Sequence, residues 1–188
     1  MKKLFIPAML IASLFLGTSC GENKEKTDSK EVAIDSNENK FEDNKMDKDR
    51  DFAVEAASGG LMEVELGKLA ATNASSADVK QFGQQMVTDH SKANDELKTL
   101  AAAKNITIPA APSEEHQKHI NDLKEKKGAD FDKAYMSMMV DDHEEDVSKF
   151  EKEGNEGNDA DIKAFAAGKV ATLKHHLEMA KTINDKIK

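Results

Sequence analysis

The 188-residue sequence carries a formal charge of −9, holds a single cysteine, and has eight Phe, one Tyr and no Trp. An acidic chain offers no electrostatic footprint for nucleic acid or for an anionic lipid surface. One cysteine excludes an intramolecular disulfide and any Cys-based zinc finger, and aromatic residues this sparse, at helical spacing, suit a core better than a stacking platform for bases or sugars.

The N-terminus has the layout of an export signal. Lys2 and Lys3 precede an apolar run from Leu4 to Leu16, broken by Pro7 and Ser13, and the small residues Gly17, Thr18 and Ser19 lead to Cys20. The run is shorter than the roughly 20 residues a transmembrane helix needs, so residues 1–19 read as a signal peptide, outside the fold. The position of Cys20 resembles the lipobox of bacterial lipoproteins, with one departure: Gly17 stands where a leucine is usual, and Leu16 lies one place earlier. The resemblance implies lipidation at Cys20, a membrane partner reached through that anchor, and a place in the cell envelope on the periplasmic side of the outer membrane. Removing residues 1–19 takes away Lys2 and Lys3 and no acid, which moves the charge from −9 to −11. Residues 20–48, rich in Glu, Lys, Asp, Asn and Ser, show neither helical nor strand periodicity and are expected to be a disordered acidic tether.

Residues 49–188 make one domain-sized unit. Asp49 or Asp51 starts a first helix to about Asn73, and Ser75 or Ser76 caps a second that ends near Lys104, before the loop with Pro109 and Pro112. Ser113, with Glu114 and Glu115 behind it, opens a short helix stopped at Gly128. Asp130 caps a third long helix to about Glu153, and the turn from Gly154 to Asn158 leads through Asp159 to a last helix ending near Ile187. No segment alternates with period two as a strand would. The expected fold is all-α, an antiparallel four-helix bundle with one additional short helix between the second and third long helices.

Placing each helix on a 100° wheel turns several polar residues inward. Glu63 sits in the middle of the first helix's stripe of Phe52, Ala56, Gly59, Leu66 and Ala70. On the second helix Asp89 and His90 flank a stripe that includes Phe82, Met86 and Leu97. Asp142 and His143 take the same places on the third, beside Tyr135, Met139 and Phe150, and Asp146 falls on that face too. On the fourth, His176 borders the stripe of Ile162, Ala166, Leu173 and Ala180, while His175 points away. Met86-Val87-Thr88-Asp89-His90 and Met139-Val140-Asp141-Asp142-His143 are thus near copies on two helices. A buried carboxylate must be paired or bind a cation, and imidazole with carboxylate on facing helices suits iron, zinc, manganese or copper. Glu63, Asp89, His90, Asp142, His143 and His176 are the candidate metal ligands. His116 and His119, on the short helix, are placed at the surface.

Four segments resemble the domain-of-unknown-function 4142 family of exported bacterial proteins: Gly60 to Gly67, Gln85 to His90, Phe131 to Tyr135 with Met139 to Glu144, and Thr172 to Leu177. The resemblance covers residues 49–188 and implies a ferritin-like helical bundle, often labelled an outer-membrane protein, without implying a chemistry. Di-iron proteins of ferritin-like fold use Glu-x-x-His pairs. The residues three before His90, His143 and His176 are Val87, Val140 and Leu173, so that pattern is missing from the core helices. Three functions are compatible with these features: a non-catalytic metal-binding bundle in metal handling or stress tolerance, a structural or interaction module whose Asp-His pairs are buried polar contacts, and a metal-dependent enzyme of metal or peroxide oxidation. A homo-oligomer or an envelope protein partner is compatible with each, and the sequence specifies neither.

Overall fold

The computed structural model describes residues 28–42 and 44–188. The expected signal peptide and Cys20 lie outside the described residues. The described chain is all-α, with no strand: α1 spans Ser29–Lys40, α2 Asp47–Asn73, α3 Ala77–Ala103, α4 Glu114–Lys124, α5 Gly128–Glu156 and α6 Ala160–Ile187, with one 3₁₀ turn at Asn44–Met46 before α2. None of these helices is long and apolar enough to cross a membrane.

The caps explain most boundaries. The Ser76 side chain accepts from Val79 N at the start of α3, Ser113 from His116 N at α4, and Asp159 from Asp161 N and Ile162 N at α6, each satisfying backbone donors that a helix start leaves free. The expected cap of α5 at Asp130 is displaced. The helix begins at Gly128, whose φ of 60° is a left-handed turn conformation that glycine adopts without strain.

Two hairpins carry the core. A Cβ on Gly67 of α2 would lie 2.5 Å from the Gly83 carbonyl of α3, and one on Gly60 would lie 2.2 Å from Asn94 Oδ1. As the chain goes backward along α2 the partner moves forward along α3, so the two are antiparallel, and the glycines let them meet backbone to backbone. In the second hairpin Lys174 pairs with Glu151 and Lys181 with Glu144, which makes α5 and α6 antiparallel as well. The hairpins touch through α2 with α5 and α3 with α6, and α4 lies against α2. Buried carboxylates fasten the turns: Asp132 accepts from the backbone of Ser75 and Ser76 at the α2–α3 turn, and Asp49 from Asn158 and Asp159 at the α5–α6 turn.

The tether expected over residues 20–48 is corrected over its described part. Residues 29–40 are helix α1, capped by Asp28 and packed on α2. Its attachment is largely polar: Asn37 Nδ2 donates to the Thr107 carbonyl at 2.9 Å, Thr107 N donates back to Asn37 Oδ1 at 2.7 Å, and Ser29 Oγ donates to the Ala111 carbonyl at 2.7 Å. A helix held by hydrogen bonds to a loop leaves no apolar stripe in the sequence, which is why hydropathy patterning does not reveal it.

Candidate metal centre

The apolar core is divided. A large cluster around Met62, Leu66, Phe82, Met86, Tyr135 and Met139 fills one half, and smaller clusters around Leu97, Ile162 and Phe150 fill the other. Glu63, His90, His143 and His176 lie between them, one from each of α2, α3, α5 and α6. All four are buried, with exposures of 1%, 7%, 0% and 1%.

The histidine rings face one another. Centroids are 5.8 Å apart for His90 and His143, 5.4 Å for His90 and His176, and 5.4 Å for His143 and His176, and one nitrogen from each lies within 4.8 Å of the other two. Two of the tautomers are set by the outer nitrogen. His143 Nδ1–H donates to the Met139 carbonyl at 2.9 Å, which leaves Nε2 as a lone pair, and His176 Nε2–H donates to Asp89 Oδ2 at 2.8 Å, which leaves Nδ1 as one. Gln85 Nε2 holds the same Asp89 oxygen at 2.7 Å. A histidine whose far N–H is anchored to a carbonyl or carboxylate is the arrangement that orients metal ligands.

The inward atoms lack partners. His143 Nε2, His176 Nδ1, His90 Nε2 and both Glu63 oxygens are buried without a hydrogen bond. Glu63 Oε2 lies 2.6 Å from His90 Nδ1 and Oε1 lies 3.3 Å from His143 Nε2, close ion-pair contacts that are not hydrogen bonds. Buried polar groups in native proteins are nearly always paired, and here five such atoms in one place are without a partner. Asp142 adjoins it, since a Glu63 oxygen, an Asp142 oxygen and a His143 nitrogen also lie within 4.8 Å of one another, and Asp142 Oδ2 is likewise unpartnered.

Electrostatics agree with the contacts. Burial pushes Glu63 and Asp142 well above the usual carboxylate range and Asp146 up to about 7, with the Glu63 charge adding to the rise of both aspartates. Burial pulls His90 down to about 4 and His143 to about 3, and lowers His176 as well. Without a cation the cluster is therefore neutral imidazoles beside reluctant carboxyls. Burial also raises Asp89, but the hydrogen bonds from Gln85 and His176 together outweigh it and keep the group below its ordinary value. That makes Asp89 an anionic anchor for His176.

Of the six residues singled out from the sequence, Glu63, His90, Asp142, His143 and His176 come together, and Asp89 stands behind His176. His175 is exposed, as expected. His116 and His119 both depart from their expected surface place: each is half-buried, and His116 Nδ1 lies 2.7 Å from Ser58 Oγ. The sequence also hid Gln85 and the Tyr135 hydroxyl, which is buried without a partner. Gln85 stands four residues before Asp89, the spacing that puts two side chains on one helix face, and it opens one of the segments that resemble the family.

A family model described as Domain of unknown function (DUF4142) matches residues 36–183. The chain belongs to this family. The match begins inside α1, so the family's domain includes part of the segment whose composition suggested a tether. No curated protein and no solved structure matches the chain.

Proposed function

We propose that this DUF4142 protein is an envelope-anchored lipoprotein whose α2, α3, α5 and α6 form a ferritin-like four-helix bundle that binds one transition-metal ion, serving metal handling or stress tolerance. The ligands are His90, His143, His176 and Glu63. One observation carries this reading: three buried imidazoles, two held in defined tautomers from outside, bring one nitrogen each within 4.8 Å of the others, and the buried Glu63 carboxylate lies against two of them, His90 and His143. Three imidazoles with one carboxylate favour zinc, iron, copper or manganese over magnesium or calcium, which prefer oxygen ligands. A structural module would instead be expected to close these groups on one another with hydrogen bonds. The anchor part of the proposal rests on residues 1–20 and is tested by loss of fatty-acid labelling in Cys20→Ser.

Elemental analysis of protein purified without a histidine tag tests the metal. The expected result is one ion per chain and a melting temperature that rises on metal addition. Absence of stoichiometric metal together with an unchanged melting temperature overturns the reading. A redox enzyme is the second reading, favoured because a cavity lined by Asp89, Asn94, Lys92, Lys169 and Asp146 reaches Glu63, His90 and His176 and would admit small molecules. It fails if the metal-loaded protein consumes neither oxygen nor peroxide.

A further inference from the structure

Two cavities approach the centre from different sides, and their walls differ in charge. The one that reaches His90 and His176 carries Lys92 and Lys169 beside Glu63, Asp89 and Asp146, with Lys169 paired to Glu96. The other lies under α4 and is lined by Glu115, His116, His119, Asp142, Glu145 and Asp146. Its one lysine, Lys149, is paired with Glu145 at 2.8 Å and with Glu55 at 3.5 Å, and with Glu115 the wall sets three glutamates against that one lysine. A cavity of one sign with low-dielectric walls concentrates counter-ions and speeds their arrival. For a cation the cavity under α4, with more acid for each lysine, is the more favourable approach.

The inner end of the acidic cavity is more than a charge cluster. Asp142 lines it and also belongs to the group of Glu63, Asp142 and His143, whose ligand atoms lie within 4.8 Å of one another. Glu63 and His143 are almost wholly buried, and Glu63 Oε1, His143 Nε2 and Asp142 Oδ2 are all unpartnered. His143 belongs to the three-histidine group as well. The two groups therefore overlap in one ligand, and Glu63 touches both His143 and His90.

We propose that the cavity under α4 is the loading route for a divalent cation, and that Asp142 with Glu63 and His143 is a waypoint from which the ion passes to His90, His143 and His176. The passage exchanges only part of the coordination: His143 and Glu63 stay bound while Asp142 is released and His90 and His176 are gained. The ion is never without protein ligands. No bond other than coordination changes, and the ion keeps its oxidation state. This gives α4, and the two histidines that its sequence placed at the surface, a purpose in the same protein: Glu115, His116 and His119 are the first groups an arriving ion meets. The inference rests on the metal-binding reading above.

The test uses Co²⁺ alone, followed by its visible absorption on mixing with the metal-free protein, and its removal by excess chelator. Asp142→Asn is expected to slow both uptake and removal by about tenfold or more, with one ion still bound per chain and an unchanged final spectrum. Glu115→Lys, at the exposed mouth, is expected to slow uptake severalfold at low salt, with the effect shrinking as salt rises. Lys92→Glu, on the other cavity, is expected to leave the uptake rate within about twofold. Unchanged rates in Asp142→Asn overturn the route. So does faster uptake in Lys92→Glu combined with no effect of Glu115→Lys, which would place entry on the opposite side. An altered final spectrum in Asp142→Asn overturns the waypoint by making Asp142 a ligand of the resident ion. If the unsubstituted protein takes up no Co²⁺, the metal-binding reading itself falls, a result distinguishable from any change of rate.

Discussion

Replacing Glu63 by methionine separates a metal ligand from a structural ion pair, because the two assignments predict opposite signs. Glu63 is 1% exposed, and neither oxygen has a hydrogen-bond partner. An unpartnered buried polar group costs about 1–3 kcal/mol, and an unbranched thioether would extend the surrounding surface of Met62, Leu66 and Met139. Metal-free Glu63→Met should therefore be more stable than the parent by about that amount, or roughly 2–12 °C in Tm for a chain of this size. Burial raises the Glu63 carboxyl far above its ordinary value of 4.5. A raised folded-state value means a contribution that is present below pH 4.5 and is lost as pH rises through the folded value, so the advantage of Met should widen from pH 4 upward. Metal acts in the opposite direction: an ion at one hundred times its Kd stabilises the parent by about 2.7 kcal/mol, and the variant, one ligand short, gains less, so the advantage of Met shrinks. Thermal melts followed by circular dichroism, in chelator and then in excess Zn²⁺, give all of these numbers. If Glu63 and His90 were a satisfied buried pair, removing the carboxylate would cost about 3–5 kcal/mol. A lowered Tm in chelator would refute the assignment.

Asp89→Asn should keep one ion per chain but weaken its affinity by about 10–100-fold, the usual effect of losing a group that orients a metal-bound imidazole, as read by competition with a chelator of known affinity. Gly67→Ala would put a methyl 2.5 Å from the Gly83 carbonyl and 2.8 Å from Val87 Cγ2. Backbone cannot yield as a side chain does, so forcing α2 from α3 should cost at least about 1–3 kcal/mol in urea denaturation. Glu153 is buried and lies beside Asp49, and both effects push its carboxyl up to about 7. Its stabilising contribution is present below pH 4.5 and is lost as pH rises through about 7. Glu153→Gln should therefore raise Tm at pH 8, leave it nearly unchanged at pH 4, and flatten the profile between.

The family was legible in local residue patterns, and so were the extents of the four long helices. Capping residues and 3.6-residue periodicity are properties of neighbours in the chain, so Ser76, Ser113 and Asp159 mark helix starts whatever the tertiary contacts are. The same periodicity turned Glu63, His90, His143 and His176 inward. Helix α1 was not legible, because its partners lie some seventy residues away and meet it through hydrogen bonds at Thr107, which leave no hydrophobic rhythm.

Which atoms do the work was decided only in three dimensions. A helical wheel puts Asp89 and His90 at opposite edges of one stripe, but only the packing of α3 against α6 turns Asp89 to His176 while His90 meets Glu63. The tautomers of His143 and His176 follow from a carbonyl on the same helix and a carboxylate on another. The α2–α3 approach at Gly67 and Gly83 sets the register that brings His90 opposite Glu63. His116 and His119 looked peripheral because a short helix alone says nothing of where it lies. Packed against α2, α4 sets them at the mouth of an acidic cavity. Inward direction is set by helical period and can be read from the chain, whereas convergence depends on how four helices are spaced and turned, and only their packing fixes that.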